Sequence, residues 1–233
     1  MKKIEYNATV LNLIEKLSFI NQSILMEKQD ELITIASANP EESIAYIFKA
    51  PESSFDFDGE NCAFYNYAEF HKLFSVLDNP VIKQDGVNLI LSKDKSKINY
   101  RTTDPEVINK TFRKVDFDEP EVVLNLTSDQ IKKIRSMGST GMLNANRLKL
   151  SVEDDTLGIR LWNKKHDNTF EDSFTLENSV EDSFSFDILT DVFNQIPEGN
   201  YQLSIKSEGI VEFKLISDNN VDLKIYTAEV EDE

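Results

Sequence analysis

Ser128-Asp129-Gln130-Ile131-Lys132-Lys133-Ile134-Arg135-Ser136-Met137 is the stretch on which both the fold and the function turn. Ile131, Ile134 and Met137 recur every third residue, which puts them on one stripe of a helix. Ser128 is a residue type that caps helices, so the pattern predicts a helix capped by Ser128 and running through Met137. Lys132, Lys133 and Arg135 fall off the apolar stripe and are expected on its exposed sides. Against Asp129 they give this segment a charge of +2, in a chain whose 25 Lys and Arg face 42 Asp and Glu for a net −17.

The same stripe occurs earlier. Leu11, Ile14 and Leu17 map onto Ile131, Ile134 and Met137 at an offset of 120 residues. They belong to a helix expected from the Asn7 cap to about Ile20. A second helix is expected over Asn66–Leu77, with Phe70, Leu73, Phe74 and Leu77 on its buried face and Asn79-Pro80 ending it. Phe70, Leu73 and Phe74 map onto Leu189, Val192 and Phe193 at an offset of 119, inside a fourth expected helix from Phe186 to Ile196 that stops at Pro197. Strand-like segments lie between the helices: Ser23–Lys28, Glu31–Ser37, Ser43–Lys49, Val81–Gln84, Val87–Ser92 and Lys97–Thr102, then Glu121–Leu126, Arg147–Val152, Leu157–Lys164, Phe170–Leu176, Tyr201–Ser207, Val211–Ser217 and Val221–Thr227. Asp85-Gly86 and Lys93-Asp94-Lys95 are hairpin signals. Two helices in the same order at nearly one offset imply two copies of one α+β domain: 1–112, then a polar connecting loop over 113–121, then 122–233 ending in an acidic tail.

Composition narrows the function classes. With 233 residues and 40% apolar content the chain can bury a sizeable core. A charge of −17 argues against a basic field over the whole surface, yet leaves room for a local basic strip. The single cysteine, Cys62, cannot form an internal disulfide, and no segment approaches a membrane span, so a cytoplasmic protein is expected. Neither His71 nor His166 has a second ligand at metal-binding spacing, and no glycine-rich phosphate loop is present. Asp56-x-Asp58-Gly59 and Asp116-x-Asp118-Glu119 could each hold a hard cation, but neither continues into a calcium-loop pattern. No nucleophile, base and oxyanion donor come together, and no cofactor is expected. Further bases are Lys16 on the outer face of the first helix, Lys72 beside His71 on the helix Asn66–Leu77, and Arg147 shortly after the basic helix. Lys and Arg on one surface attract phosphate without reading bases, which permits sliding along DNA.

Three segments carry a family resemblance: Leu13-Ile14-Glu15-Lys16-Leu17-Ser18-Phe19-Ile20-Asn21-Gln22-Ser23-Ile24-Leu25-Met26, Phe64-Tyr65-Asn66-Tyr67-Ala68-Glu69-Phe70-His71-Lys72-Leu73-Phe74-Ser75-Val76-Leu77, and Pro197-Glu198-Gly199-Asn200-Tyr201-Gln202-Leu203 with the strands down to Tyr226-Thr227-Ala228. In their order and spacing the chain resembles the DNA sliding clamps, most closely the polymerase processivity clamps of T-even-type bacteriophages. The resemblance implies the α+β DNA-clamp fold, with two similar domains that each set two helices on the inner face of antiparallel sheets, closed as a homotrimeric ring. It implies duplex DNA bound without sequence preference through Lys16, Lys72, Lys132, Lys133, Arg135 and Arg147. It also implies an ATP-dependent clamp loader, a tethered DNA polymerase and, in the phage type, a role in late transcription. A partner groove is implied at Val115, Phe117, Tyr226 and Ala228. Edge strands for ring closure are expected at Glu106–Phe112 and Phe170–Leu176. The fourth helix departs from a basic lining, since it carries Asp187 and Asp191 and no base. Two rivals stay open: a monomeric acidic DNA mimic, and a metal-dependent enzyme using Asp56 and Asp58.

Overall fold

The computed structural model describes residues 1–108, 115, 117–176, 180, 182–217 and 220–230. Its contacts divide into a unit of Met1–Arg113 with Asp218–Leu223 and a unit of Lys114–Ser217 with Lys224–Glu233.

In the first unit the elements run β1 (Lys2–Ile4), α1 (Ala8–Leu17), β2 (Ile24–Gln29), β3 (Leu32–Ala38), β4 (Ile44–Pro51), β5 (Asn61–Phe64), α2 (Tyr67–Val76), β6 (Val81–Asp85), β7 (Asn88–Lys93) and β8 (Ser96–Arg101). The second runs β9 (Val122–Leu126), α3 (Ser128–Gly138), β10 (Arg147–Glu153), β11 (Thr156–Asn163), β12 (His166–Thr175), β13 (Phe184–Leu189), α4 (Asp191–Gln195), β14 (Asn200–Lys206), β15 (Ile210–Ile216) and β16 (Asp222–Ala228). In the first, neighbouring strands lie in the orders β1-β6-β7-β8 and β5-β2-β3-β4. In the second the orders are β9-β14-β15-β16 and β13-β10-β11-β12, the same pairing element for element. The pairings are antiparallel, so each strand can keep one face inward and one outward. β4 alternates buried and half-buried residues along its whole length.

Asn7 caps α1, its side chain accepting from the backbone N–H groups of Thr9 and Val10. α1 ends at Leu17 rather than Ile20, and Phe19 beyond it stays exposed. Val10, Leu11, Ile14 and Leu17 are buried. At about 1.5–3 kcal/mol per side chain, this stripe is the main reason a helix so short persists. α2 packs on α1, and its Phe70 joins a ring cluster centred on Phe64. The Phe64 ring centroid lies 4.8 Å from Phe70, 5.1 Å from Tyr67, 6.0 Å from Tyr100 and 6.4 Å from Phe55.

α3 starts differently from expectation. Thr127, not Ser128, is its cap, in a reciprocal capping box with Gln130. The Ser128 N–H donates instead to the Asn200 side chain at 2.8 Å. Only Ile131 and Ile134 of α3 are buried. Arg135 adds a second anchor: its Nε donates to the Phe193 carbonyl at 2.7 Å and its Nη2 to the Ile196 carbonyl at 3.0 Å. These are acceptors at the C-terminal end of α4 (Ile196 is its C-cap), where unpaired carbonyls need donors.

The fourth helix is the largest departure. Phe184–Leu189 is strand β13, and helix remains only over Asp191–Gln195. Phe186 and Ile188 point inward at period two while Val192 and Phe193 continue the apolar content at helical spacing, so two periods abut without a glycine or proline between them. The Leu189 end of the 119-residue match thus lies in a strand, while Val192 and Phe193 lie in α4 as Leu73 and Phe74 lie in α2. The short strands β1 and β5 carry too few residues to show a period. β12 starts at His166 rather than Phe170, so His166 is a strand residue. Of the expected edge Glu106–Phe112, Pro105–Val107 forms a 3-10 turn and 109–112 lie outside the described residues. Gly199, in the turn before β14, meets a close approach: a Cβ there would lie 2.5 Å from Leu215 Cδ1.

Phe64→Ala is expected to lower unfolding stability by about 3–5 kcal/mol, a large part of the roughly 5–15 kcal/mol typical of a protein. A urea midpoint that barely moves would refute a cluster centred on Phe64. Arg135→Ala should cost about 1–3 kcal/mol by the same measurement, because it strands two carbonyls. Arg135→Lys should recover part of this at most, since an ammonium cannot reproduce the two-pronged contact.

Candidate nucleic-acid interface and partner groove

Lys16 ends the exposed side of α1, 3.2 Å from Glu15 and 5.6 Å from the Phe19 ring centroid. Lys72 is exposed on α2. Beside it His71 is half-buried, its Nε2 2.8 Å from Asn12 Oδ1. Burial pushes the His71 imidazole below its ordinary pKa, with Lys16 adding to the effect and Glu15 opposing it.

On α3, Lys132 and Lys133 are exposed as expected. Lys133 Nζ donates to Asp172 Oδ2 of β12 at 2.6 Å, and Lys132 Nζ lies 3.5 Å from Glu198. Arg135 corrects the reading of three outward bases: it is half-buried and turned onto the end of α4. Arg147 is not on a helix. It stands on β10 between Trp162 and Leu189 in register, half-buried, with its Nη1 buried. The structure therefore gathers Lys132 and Lys133 with Arg135 on one helix and leaves Arg147 on the sheet. α4 carries Asp191 alone of the two expected acids. Asp187 lies in β13, where its Oδ1 accepts from Trp162 Nε1 at 2.8 Å.

Of the linker residues, Phe117 meets the last strand. Phe117 is half-buried, its ring centroid 6.1 Å from that of the buried Tyr226. Lys206 Nζ lies 5.8 Å from the Phe117 ring centroid. Val115 is half-buried, and Ala228 is exposed opposite Ile210. Sequence reading passed over Glu212, which is 5% exposed, faces Tyr226 across the ladder and lies 3.5 Å from Lys224. Its position between apolar neighbours on β15 was the available signal.

Asp56 and Asp58 engage lysines: Lys2 Nζ is 2.7 Å from Asp56 and 3.4 Å from Asp58, and Lys28 is 3.5 Å from Asp56. The Lys2 hydrogen bond holds the Asp56 carboxyl below the usual carboxylate range. Asp116 lies outside the described residues. Among the described residues no group of three or more His, Cys, Asp or Glu could hold a metal ion. Cys62 is buried, and that burial pushes its thiol up to about 12, away from reactivity. Among the described residues no helix is long and apolar enough to cross a membrane.

No protein-family model matches the chain, and no curated protein sequence matches it. Solved structures do. PCNA of A. fulgidus, solved with the C-terminal region of FEN-1 bound, superposes with a TM-score of 0.77 at 11% identity over 100% of both chains. Proliferating Cellular Nuclear Antigen of Entamoeba histolytica gives 0.76 at 14% identity, over 99% of this chain and 98% of that one. A chain of the PCNA2–PCNA3 complex of Sulfolobus tokodaii gives 0.72 at 11%, over 98% and 99%. At these identities the likeness is one of architecture: the chain has the α+β DNA-clamp fold of PCNA.

Proposed function

We propose that this chain is one subunit of a homotrimeric sliding clamp that encircles duplex DNA and tethers a DNA polymerase. The observation that carries the reading is the end-to-end fold likeness to PCNA chains, covering nearly all of both partners. A helix of charge +2 in a chain of −17 supports it. In such a ring the helices face the duplex, and retention comes from enclosure while contacts stay weak. Lys132 and Lys133 then bear most of the phosphate contact, with Lys16 and Lys72 adding to it and Arg135 and Arg147 contributing field more than contact. The protein is a scaffold that performs no reaction and needs no cofactor.

Ring closure would use sheet edges, and β12, the end strand of its order, is one candidate. An ATP-dependent loader would open the ring. Partner tails would insert beside Phe117, Tyr226, Val115 and Ala228; that A. fulgidus PCNA binds a C-terminal region of FEN-1 supports a tail-binding groove of this kind. The resemblance to T-even-type clamps extends the proposal to a phage protein working in a bacterial cytoplasm, with a part in late transcription. The charge of −17 favours one rival, a monomeric acidic DNA mimic.

Sedimentation at micromolar concentration is expected to give three times the 26.7 kDa subunit mass; one subunit mass under all conditions favours the mimic. With a loader and ATP, the protein should stay on circular DNA and run off linear DNA. Equal retention on both would overturn topological binding.

A further inference from the structure

We infer that Asp172 is a built-in counter-charge that competes with DNA phosphate for Lys133 and so keeps the grip on DNA loose. The inference rests on the proposed reading in which α3 faces the duplex.

Lys133 is held from two sides. Its ammonium donates to Asp172 Oδ2 at 2.6 Å and sits 5.5 Å from the Phe170 ring centroid. The carboxylate is itself held, because its Oδ1 accepts from the Ser173 backbone N–H at 3.1 Å. The Lys133 hydrogen bond keeps the Asp172 carboxyl below the usual carboxylate range, so the carboxylate is charged at neutral pH. The Lys133 side chain is 54% exposed against 30% for Asp172: the cation remains within reach of a phosphate while the anion is the better sheltered partner.

A phosphate that takes Lys133 must break this contact and then stand near Asp172. Charges closer than about 10 Å are incompletely screened at ~0.1 M salt, so the carboxylate opposes the phosphate directly. The other α3 bases offer little substitute. Lys132 has Glu198 at 3.5 Å, and Arg135 is committed to two carbonyls. The positive charge α3 can offer DNA is thus smaller than its three bases imply. A topologically held ring needs only weak contacts, and strong ones would slow its movement.

The test is binding to a short linear duplex across a salt series. Asp172→Asn should tighten binding roughly two- to fivefold at low salt and steepen the slope of log K against log salt by about 0.9, one freed phosphate contact. Glu41→Gln, an equal charge change at an exposed loop position, should do neither. In a Lys133→Gln background the effect of Asp172→Asn should vanish. Sedimentation of each variant must match the parent, so that altered assembly is not read as altered affinity. A change in Asp172→Asn no larger than in Glu41→Gln, or one that survives in Lys133→Gln, overturns the counter-charge role and leaves the clamp reading standing. Absence of duplex binding by the parent and every variant, even at low salt, removes the DNA-facing reading and this inference with it.

Discussion

The burial of one helix stripe against its strands is the constraint on which each unit depends. It sets the fold of the helix and also which charges remain outside. α1 meets it with four buried residues, Val10, Leu11, Ile14 and Leu17, whereas α3 buries Ile131 and Ile134 only. At about 1.5–3 kcal/mol per side chain the difference is several kcal/mol. The Thr127–Gln130 capping box, the Asn200 contact with the Ser128 N–H and the two Arg135 hydrogen bonds make good part of it. Arg135 is drawn into the structure for that reason. A basic helix with a thin apolar stripe spends one of its bases holding itself down.

What could be read from the chain follows from the range of the interactions involved. The helices α1, α2 and α3 and most strand segments were legible because each declares itself within ten residues or so, through a stripe, a cap or an alternation. The pairing order common to both units agrees with a repeat inferred from two stripes alone. α4 was overread because β13 and α4 abut with only Thr190 between them, and a window across both sees Phe186, Leu189, Val192 and Phe193 at helical spacing. Strands of three and four residues, β1 and β5, have no period to detect.

The site was less legible because its partners are distant. That Lys132 and Lys133 stand exposed follows from their place off the stripe. That Arg135 does not follows from carbonyls 58 and 61 residues away. The contact of Phe117 with Tyr226 bridges more than a hundred residues and was reached only through resemblance, not through any local pattern. Likewise nothing near Lys133 announces Asp172, 39 residues on.

These long-range pairs change how the charge of the molecule is understood. A net −17 invites the view of an acidic body with a basic strip laid upon it. The contacts describe something more graded, in which acids reach into the basic face and bind its lysines. Their effect depends on pH in a definite direction. Asp172 has a lowered carboxyl pKa in the folded chain, so the stability it contributes is fully present above the ordinary aspartate range and fades as pH falls through the depressed value. Protonation there would release Lys133 just as a neutral amide in its place would. Near neutral pH the carboxylate holds, and the basic face stays partly neutralised by the protein's own acids. In the proposed ring, enclosure would tolerate that arrangement, because a closed ring would not need affinity to remain on its duplex, whereas a monomer that bound DNA through α3 alone would lose what little hold those lysines offer.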